Sequence, residues 1–277
     1  GHERTLSGRE RTLSGRERTL SGRERTLSDR ERTLSGRDCV PGQRRVVNGI
    51  ELVWVCSKGT NDGHLTFTMG SPKSDNGAQD DEQPPHKVAI SAFWMGRTEV
   101  SNRQYKTVVK THPKNDDLPV VDVSWHQSRA FCQKKGLVLP TEAEWELAAR
   151  GTDGRRYPWG NEAPSEQRAV FSNAKLQPID SMPGGAGPFG TRHQAGNVWE
   201  WVADCYEENA YAKRQRRVPR DPLVSCNEPD NSARVVRGGS FGNPVEDLRS
   251  ALRGVDTPRG YFVGLGFRCA RASRRSP

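Results

Sequence analysis

Beyond Asp38 the chain never sustains a long apolar run. Short hydrophobic stretches are broken again and again by glycine and proline, of which the sequence holds 28 and 18. A glycine costs a helix interior about 1 kcal/mol and a proline about 3 kcal/mol, so this texture leaves room only for short elements joined by many turns. GIELVWVC (Gly49 to Cys56) and LTFTM (Leu65 to Met69) read as strands, the second stopped by Gly70-Ser71-Pro72. HKVAISAFWMG (His86 to Gly96) alternates apolar and polar residues, the pattern of a half-buried strand. Ser101 caps a short helix through Val109, and Ser124 precedes a helix that stops at Gly136. Thr141 and Glu144 form a capping box that opens EAEWELAAR, which Gly151 ends. Residues 151–234 read almost entirely as loop, and residues 234–271 as two strand pieces around a long connection. Trp145, Trp159, Trp199 and Trp201 read as core anchors whose indole N–H needs a partner. Glu142, Glu144 and Glu146 read as residues favoured by a helix N-terminus, with no acid–base pair among them. The fold class is α+β, loop-rich, with function carried on the loops.

Residues 1–38 differ in kind. Glu3 to Arg37 are five heptads of ERTLSGR, the fourth reading ERTLSDR. A coiled-coil seam needs two apolar residues per heptad, and this repeat offers one, at Leu6, Leu13, Leu20, Leu27 and Leu34. Four of the five copies also carry a Gly, so the segment reads as a flexible heptad-repeat tail ahead of a globular module over 39–277. The tail holds 10 Arg against 7 acids, and the remaining +6 of the +9 net charge is spread over the module. Such a thin excess is a weak footprint for nucleic acid, which is not expected as a partner. No stretch approaches the ~18 consecutive apolar residues of a membrane helix. Gly1-His2 reads as the remnant of a trimmed segment, so a leader or lipid anchor can have stood upstream.

Eight phrases within the module have a common likeness: FTMGS at Phe67, MGRTEVSNRQY at Met95, PVVDVSWHQSRAFC at Pro119 and LPTEAEWELAARG at Leu139. They continue with YPWGNEAP at Tyr157, GNVWEWVADCY at Gly196, RVVRGGSF at Arg234 and GLGFRCAR at Gly264. In this order and spacing, from Ile50 to Arg271, the chain resembles the formylglycine-generating enzyme (sulfatase-modifying factor) family. The resemblance implies a C-type lectin-like fold of the formylglycine-generating-enzyme subtype. The family's oxidase works through a copper-binding Cys pair shortly after the GGS phrase. Here GGSFGNPVEDLRSALRG contains no Cys, and the corresponding positions fall near Asn243 and Leu248. An amide and an alkyl chain cannot replace soft thiolate ligands, so no catalytic residue is assigned and the protein is not expected to be an enzyme. The related iron-dependent sulfoxide synthases use an HxxxH-type site, whereas His2, His64, His86, His112, His126 and His193 are all isolated.

The C-terminal stretch is also similar to the variable region of diversity-generating retroelement target proteins of the Treponema type. Leu248, Arg249, Ser250, Ala251 and Arg253 keep the family's look inside residues 234–271, and the residues between them do not. Gly, Val, Asp, Phe and Leu there are what base changes at the two adenines of an AAC codon produce. The resemblance implies a diversified ligand-binding surface made of Phe241, Gly242, Asn243, Val245, Asp247, Leu252, Gly254, Val255, Asp256, Tyr261, Phe262 and Val263. Apolar residues clustered on loops mark interaction sites, and Tyr261 with Phe262 would anchor a partner at low entropy cost. The alternative is that Phe241, Phe262 and Val263 pack inward as core. The function expected is non-catalytic binding of a protein or other macromolecular ligand. A divergent oxidase and a regulatory or scaffold module are the alternatives.

No cofactor is assigned, with calcium the single candidate. Family members hold calcium around the GNVWEW loop, which transfers here to the carbonyls of Gly196 and Val198 and the carboxylate of Glu200. The upstream ligand falls on His193, a poor partner for a hard cation, and a second loop looks shortened between Asn173 and Ile179. The resemblance further implies a disulfide between Cys132 and Cys269, two free thiols packed between helix and strand being the alternative. An oxidised bridge implies export to the extracellular space or cell surface.

Overall fold

The computed structural model describes residues 39–58, 64–110, 115–172, 175–228 and 231–272. The repeat tail lies outside them, as do His2, His112 and Asn173. Two four-stranded sheets and a two-stranded ribbon enclose the core. The first sheet begins with β1 (Arg44–Val47) antiparallel to β2 (Ile50–Val55), in the register Arg44↔Val53. The ribbon pairs β3 (His64–Met69) with β4 (His86–Ser91). In β3, Leu65, Phe67 and Met69 are buried while Thr66 is exposed, the period-two pattern that makes it a strand. The single strand expected over 86–96 breaks at Ala92. Its second half, β5 (Phe93–Gly96), leaves the ribbon and pairs with β2.

Three helices start at reciprocal capping boxes. α1 (Asn102–Lys106) is capped by Ser101 and Gln104, α2 (Trp125–Lys134) by Ser124 and Gln127, and α3 (Glu142–Arg150) by Thr141 and Glu144. In the last, Thr141 Oγ1 accepts from the Glu144 N–H at 3.2 Å and Glu144 Oε2 accepts from the Thr141 N–H at 2.7 Å. α1 ends at Lys106, short of the expected Val109.

The largest departure from the sequence reading lies in the supposed loop. Trp199–Cys205 forms β6, an inner strand of the second sheet, and Ala210–Lys213 forms a short helix, α4. β7 (Arg234–Arg237), β8 (Arg253–Asp256) and β9 (Leu265–Phe267) complete that sheet in the order β8-β7-β6-β9, with β6 and β9 parallel. β10 (Ala270–Ala272) closes the first sheet against β5. The stretch 234–271 thus feeds four strands rather than two. Its hydrogen bonds run into both sheets.

One core cluster gathers Trp54, Trp94, Trp125, Phe131, Trp201 and Phe267, and another gathers Phe67, Phe93, Trp145, Leu147, Tyr211 and Val235. All six cysteines are paired, as Cys39–Cys56, Cys132–Cys269 and Cys205–Cys226. Cys132–Cys269 joins α2 to the segment entering β10, across 137 positions of sequence. Among the described residues no helix is long and apolar enough to cross a membrane.

Candidate ligand-binding surface

The stretch from β7 to β9 is held from below by four arginines. Arg249 forms a two-pronged pair with Glu82, Nη1 to Oε2 at 2.7 Å and Nη2 to Oε1 at 2.6 Å. Arg253 donates to Glu142 through Nε at 2.7 Å and Nη2 at 3.3 Å. Arg268 does the same to Glu200, at 2.6 and 2.5 Å. Arg237 pairs with Glu146 and donates to the carbonyls of Ser250 and Ala251 at 2.9 Å each. All eight side chains are buried. Burial alone would lift the Glu142 carboxyl, but Arg253 and Arg237 hold it below the usual carboxylate range. Of the three glutamates read near the start of α3, Glu144 completes the capping box with Thr141, while Glu142 and Glu146 are in addition the partners of buried arginines.

A fully desolvated pair adds little net stability, but removing one partner strands a charge and costs roughly 3–5 kcal/mol. The four pairs thus set the register of the stretch, because a shift of one residue would bury the wrong side chains. The turn after β7 is equally constrained. Gly238 and Gly239 have φ of 99° and 71°, and a Cβ on Gly239 would lie 2.7 Å from the Asp247 carbonyl oxygen.

What these pins leave outside is a set of outward-facing residues. Val255, Tyr261, Phe262 and Val263 are 52%, 68%, 40% and 56% exposed, and Gly242 is exposed. Phe241, Asn243, Val245, Asp247, Gly254 and Asp256 are half-buried. Leu252 is corrected: it is 3% exposed and belongs to the core side. Ala251, Leu252 and Arg253 are all buried, and the Leu252 N–H donates to the Arg249 carbonyl at 3.1 Å, which holds this turn against the scaffold beside the Arg249–Glu82 pair. Asn243 organises the centre. Its Oδ1 accepts from Ser240 N at 3.1 Å, from Ser240 Oγ at 2.5 Å and from Trp199 Nε1 at 3.0 Å, while its Nδ2 donates to Asp247 at 2.7 Å.

Trp199, read from sequence as a core anchor, is half-buried: it packs against the cluster that holds Trp201 and also lines this surface. Its ring lies against Gly254, where a Cβ would approach Trp199 Cζ3 to 3.0 Å and Val236 Cγ2 to 2.7 Å. Gly254 is consequently a contact position that only a shift of both Val236 and Trp199 could free for variation. The Phe262 ring covers Gly264 beside Ser240, and the Phe262 carbonyl accepts from the Leu265 N–H at 3.0 Å and the Asp122 N–H at 3.3 Å. Tyr261 and Arg259 face Asp122, Ser124 and Gln127 across a shallow hollow of about 350 Å³. Trp199, Asp122 and Arg259, with the buried Ser240 beneath them, are residues of this surface that sequence reasoning missed. No sequence signal set Trp199 apart, since it shares a strand face with the fully buried Trp201.

The calcium arrangement does not fit these residues. Both Glu200 oxygens are taken by Arg268, and Oε2 also accepts from Trp145 Nε1 at 2.8 Å. His193 is buried, and burial with the Arg268 charge lowers it to about 4, so it stays a neutral imidazole bonded to Ser181 Oγ at 3.1 Å. The Gly196 and Val198 carbonyls remain without the carboxylate that would complete a site. Among the described residues no group of three or more His, Cys, Asp or Glu side chains is placed to hold a metal ion. At the positions corresponding to the copper-binding pair, Leu248 is buried and Asn243 is committed to the turn.

Residues 57–273 match the sulfatase-modifying factor enzyme 1-like domain. The chain is 38% identical over 172 residues to the formylglycine-generating enzyme of Streptomyces coelicolor, covering 55% of this chain and 52% of that one. It is 33% identical over 179 residues to the inactive C-alpha-formylglycine-generating enzyme 2 of Bos taurus, covering 58% and 52%. The chain thus spans about half the length of these two relatives. Among solved structures it superposes on Treponema denticola variable protein 1 with a TM-score of 0.65 and 22% identity, over 83% of this chain and 98% of that one. That likeness is one of fold: α+β, C-type lectin-like, of the formylglycine-generating-enzyme subtype.

Proposed function

The chain belongs to the sulfatase-modifying factor enzyme 1-like family, and from that premise we propose that it is a non-catalytic binding protein presenting a diversified C-terminal surface to a protein or other macromolecular ligand. One observation carries the reading. Within residues 234–271, Arg237, Arg249, Arg253 and Arg268 are buried in ion pairs with the scaffold while Val255, Tyr261, Phe262 and Val263 face solvent. Such a division lets outward residues change without disturbing what holds the backbone. The enzyme reading is disfavoured on positive grounds, since every cysteine is committed to a disulfide and none is left to furnish thiolate chemistry. The family also contains a relative named as inactive. Three disulfides favour an oxidising location, outside the cell or on its surface. Residues 1–38 then act as a spacer for the 39–277 module.

Randomising Val255, Tyr261, Phe262 and Val263 together tests the reading. Most members of such a library are expected to keep the wild-type melting temperature within a few degrees, and selection against an unrelated protein is expected to yield binders. A library that mostly unfolds overturns the proposal. So does copper-dependent oxygen consumption by the wild-type protein with a Cys-containing sulfatase peptide.

A further inference from the structure

Residues 213–220, KRQRRVPR, place five basic side chains within eight positions between α4 and β7. Three of them, Arg214, Arg216 and Arg217, precede Val218 with Gln215 in the order Arg-X-Arg-Arg. We infer that the Arg217–Val218 peptide bond is a processing site for an endoprotease specific for paired basic residues, and that the product is a two-chain protein held together by disulfides.

An endoprotease binds its substrate as an extended strand, so a cleavable segment must be exposed and cheap to straighten. α4 ends at Lys213, and past the Arg214 and Gln215 N–H bonds that close its last turn the backbone is irregular up to Pro219. Gln215, Arg216 and Arg217 are exposed, and Val218 is 49% exposed. Downstream, the segment is docked on β4 by the bond from Ala89 N–H to the Pro219 carbonyl, 3.0 Å, and by Asp221, which accepts from Ser91. Straightening the site from Arg214 to Val218 therefore frees the hydrogen bonds that close α4 and draws out the half-buried Arg214, while Ala210 and Tyr211, the buried residues of α4, lie upstream of it. The neighbouring groove of about 490 Å³, lined by Lys87, Arg214, Arg216 and Arg217, keeps the side positive toward the acidic subsites of such an enzyme.

The other adjacent basic pairs among the described residues lack one or more of these features. Arg44 and Arg45 lie in β1, paired to Val53 and Leu52 of β2. Lys134 and Lys135 end α2. Arg155 and Arg156 are held by Asp153 and Asp75, at 2.6 and 3.1 Å. None has an arginine three residues before its second basic residue, as Arg217 has in Arg214.

Hydrolysis adds one water across the bond, leaving a carboxylate on Arg217 and an ammonium on Val218. The two chains cannot part. Cys205–Cys226 straddles the cut closely and Cys132–Cys269 straddles it widely. The buried pairs Arg237–Glu146, Arg249–Glu82, Arg253–Glu142 and Arg268–Glu200 also cross it. The whole C-terminal surface stretch would then lie on one chain and its supporting carboxylates on the other. This inference stands independently of what the surface binds.

The test treats the full chain with a soluble subtilisin-like endoprotease selective for Arg-X-Arg-Arg. The expected result within residues 39–271 is one cut, with a new N-terminus reading Val218-Pro219-Arg220-Asp221. The product should run as one species without reductant and as two with it. Arg217→Gln should abolish the cut, and Arg214→Ala should slow it roughly tenfold or more, the worth of one charge-assisted contact. Both variants should keep the wild-type melting temperature. Faster cleavage after Arg45, Lys135 or Arg156, an uncut chain, unchanged cleavage in Arg217→Gln, or fragments that separate without reductant would each overturn the inference.

Discussion

Replacing Arg249 with methionine separates a pinned residue from the outward ones beside it. Its guanidinium is buried and fixed to Glu82 at 2.6 and 2.7 Å, with Asp75 3.6 Å away. Methionine fills much of the volume but leaves Glu82 buried, with Ser71 Oγ at 2.5 Å and the Gln79 N–H at 3.2 Å as its remaining donors. Two neutral donors do not neutralise a buried carboxylate, so the loss should fall in the range of about 3–5 kcal/mol found for breaking a buried pair. In a domain of this size each kcal/mol moves the melting temperature by about 2–4 °C, so a drop on the order of 10 °C is expected. Substituting Glu82→Leu together with Arg249→Met removes both charges and should recover most of that loss. Tyr261→Ser, on the exposed side of the same stretch, should stay within about 0.5 kcal/mol. Thermal and urea unfolding followed by circular dichroism measure all four proteins. An Arg249→Met loss below ~1 kcal/mol, or a Tyr261→Ser loss as large, would refute the division between pinned and free positions.

Three further outcomes follow from the buried groups. His193 titrates at about 4 in the folded chain against an ordinary 6.5, so its contribution is whole above pH 6.5 and is lost as the pH falls toward 4. That amounts to about 3 kcal/mol, and His193→Asn, which tolerates the φ of 55° there, should flatten this part of the stability–pH curve; an unchanged slope rejects the assignment. Replacing Cys132 and Cys269 with alanine releases a loop closed across 137 positions and should cost on the order of 5 kcal/mol, less any native strain; mass mapping that finds both thiols free in oxidised protein removes the bridge. Because Arg268 occupies both oxygens of Glu200, EDTA should leave the melting temperature unchanged; a fall of several degrees reversed by calcium contradicts this.

The features legible in the sequence are those whose partners lie within a few residues. Ser101, Ser124 and Thr141 each meet a side chain three positions on, so the helix starts could be read directly. β3 could be read because its alternation is visible in six consecutive residues. β6 could not, since WEWVADC is buried on both faces and shows no clean alternation, and its neighbours β7 and β9 arrive only after long connections. Nor could the sequence say which glutamate meets which arginine, as the pairs join residues 68 to 167 positions apart. Composition and motif order determined the family fold and marked the C-terminal stretch as its unusual part. Only tertiary packing turned Leu252 inward, brought Trp199 out beside Asn243 and sank Arg249 onto Glu82. A side chain's direction there is decided by a buried charge waiting on a distant element, and no local pattern encodes that distance.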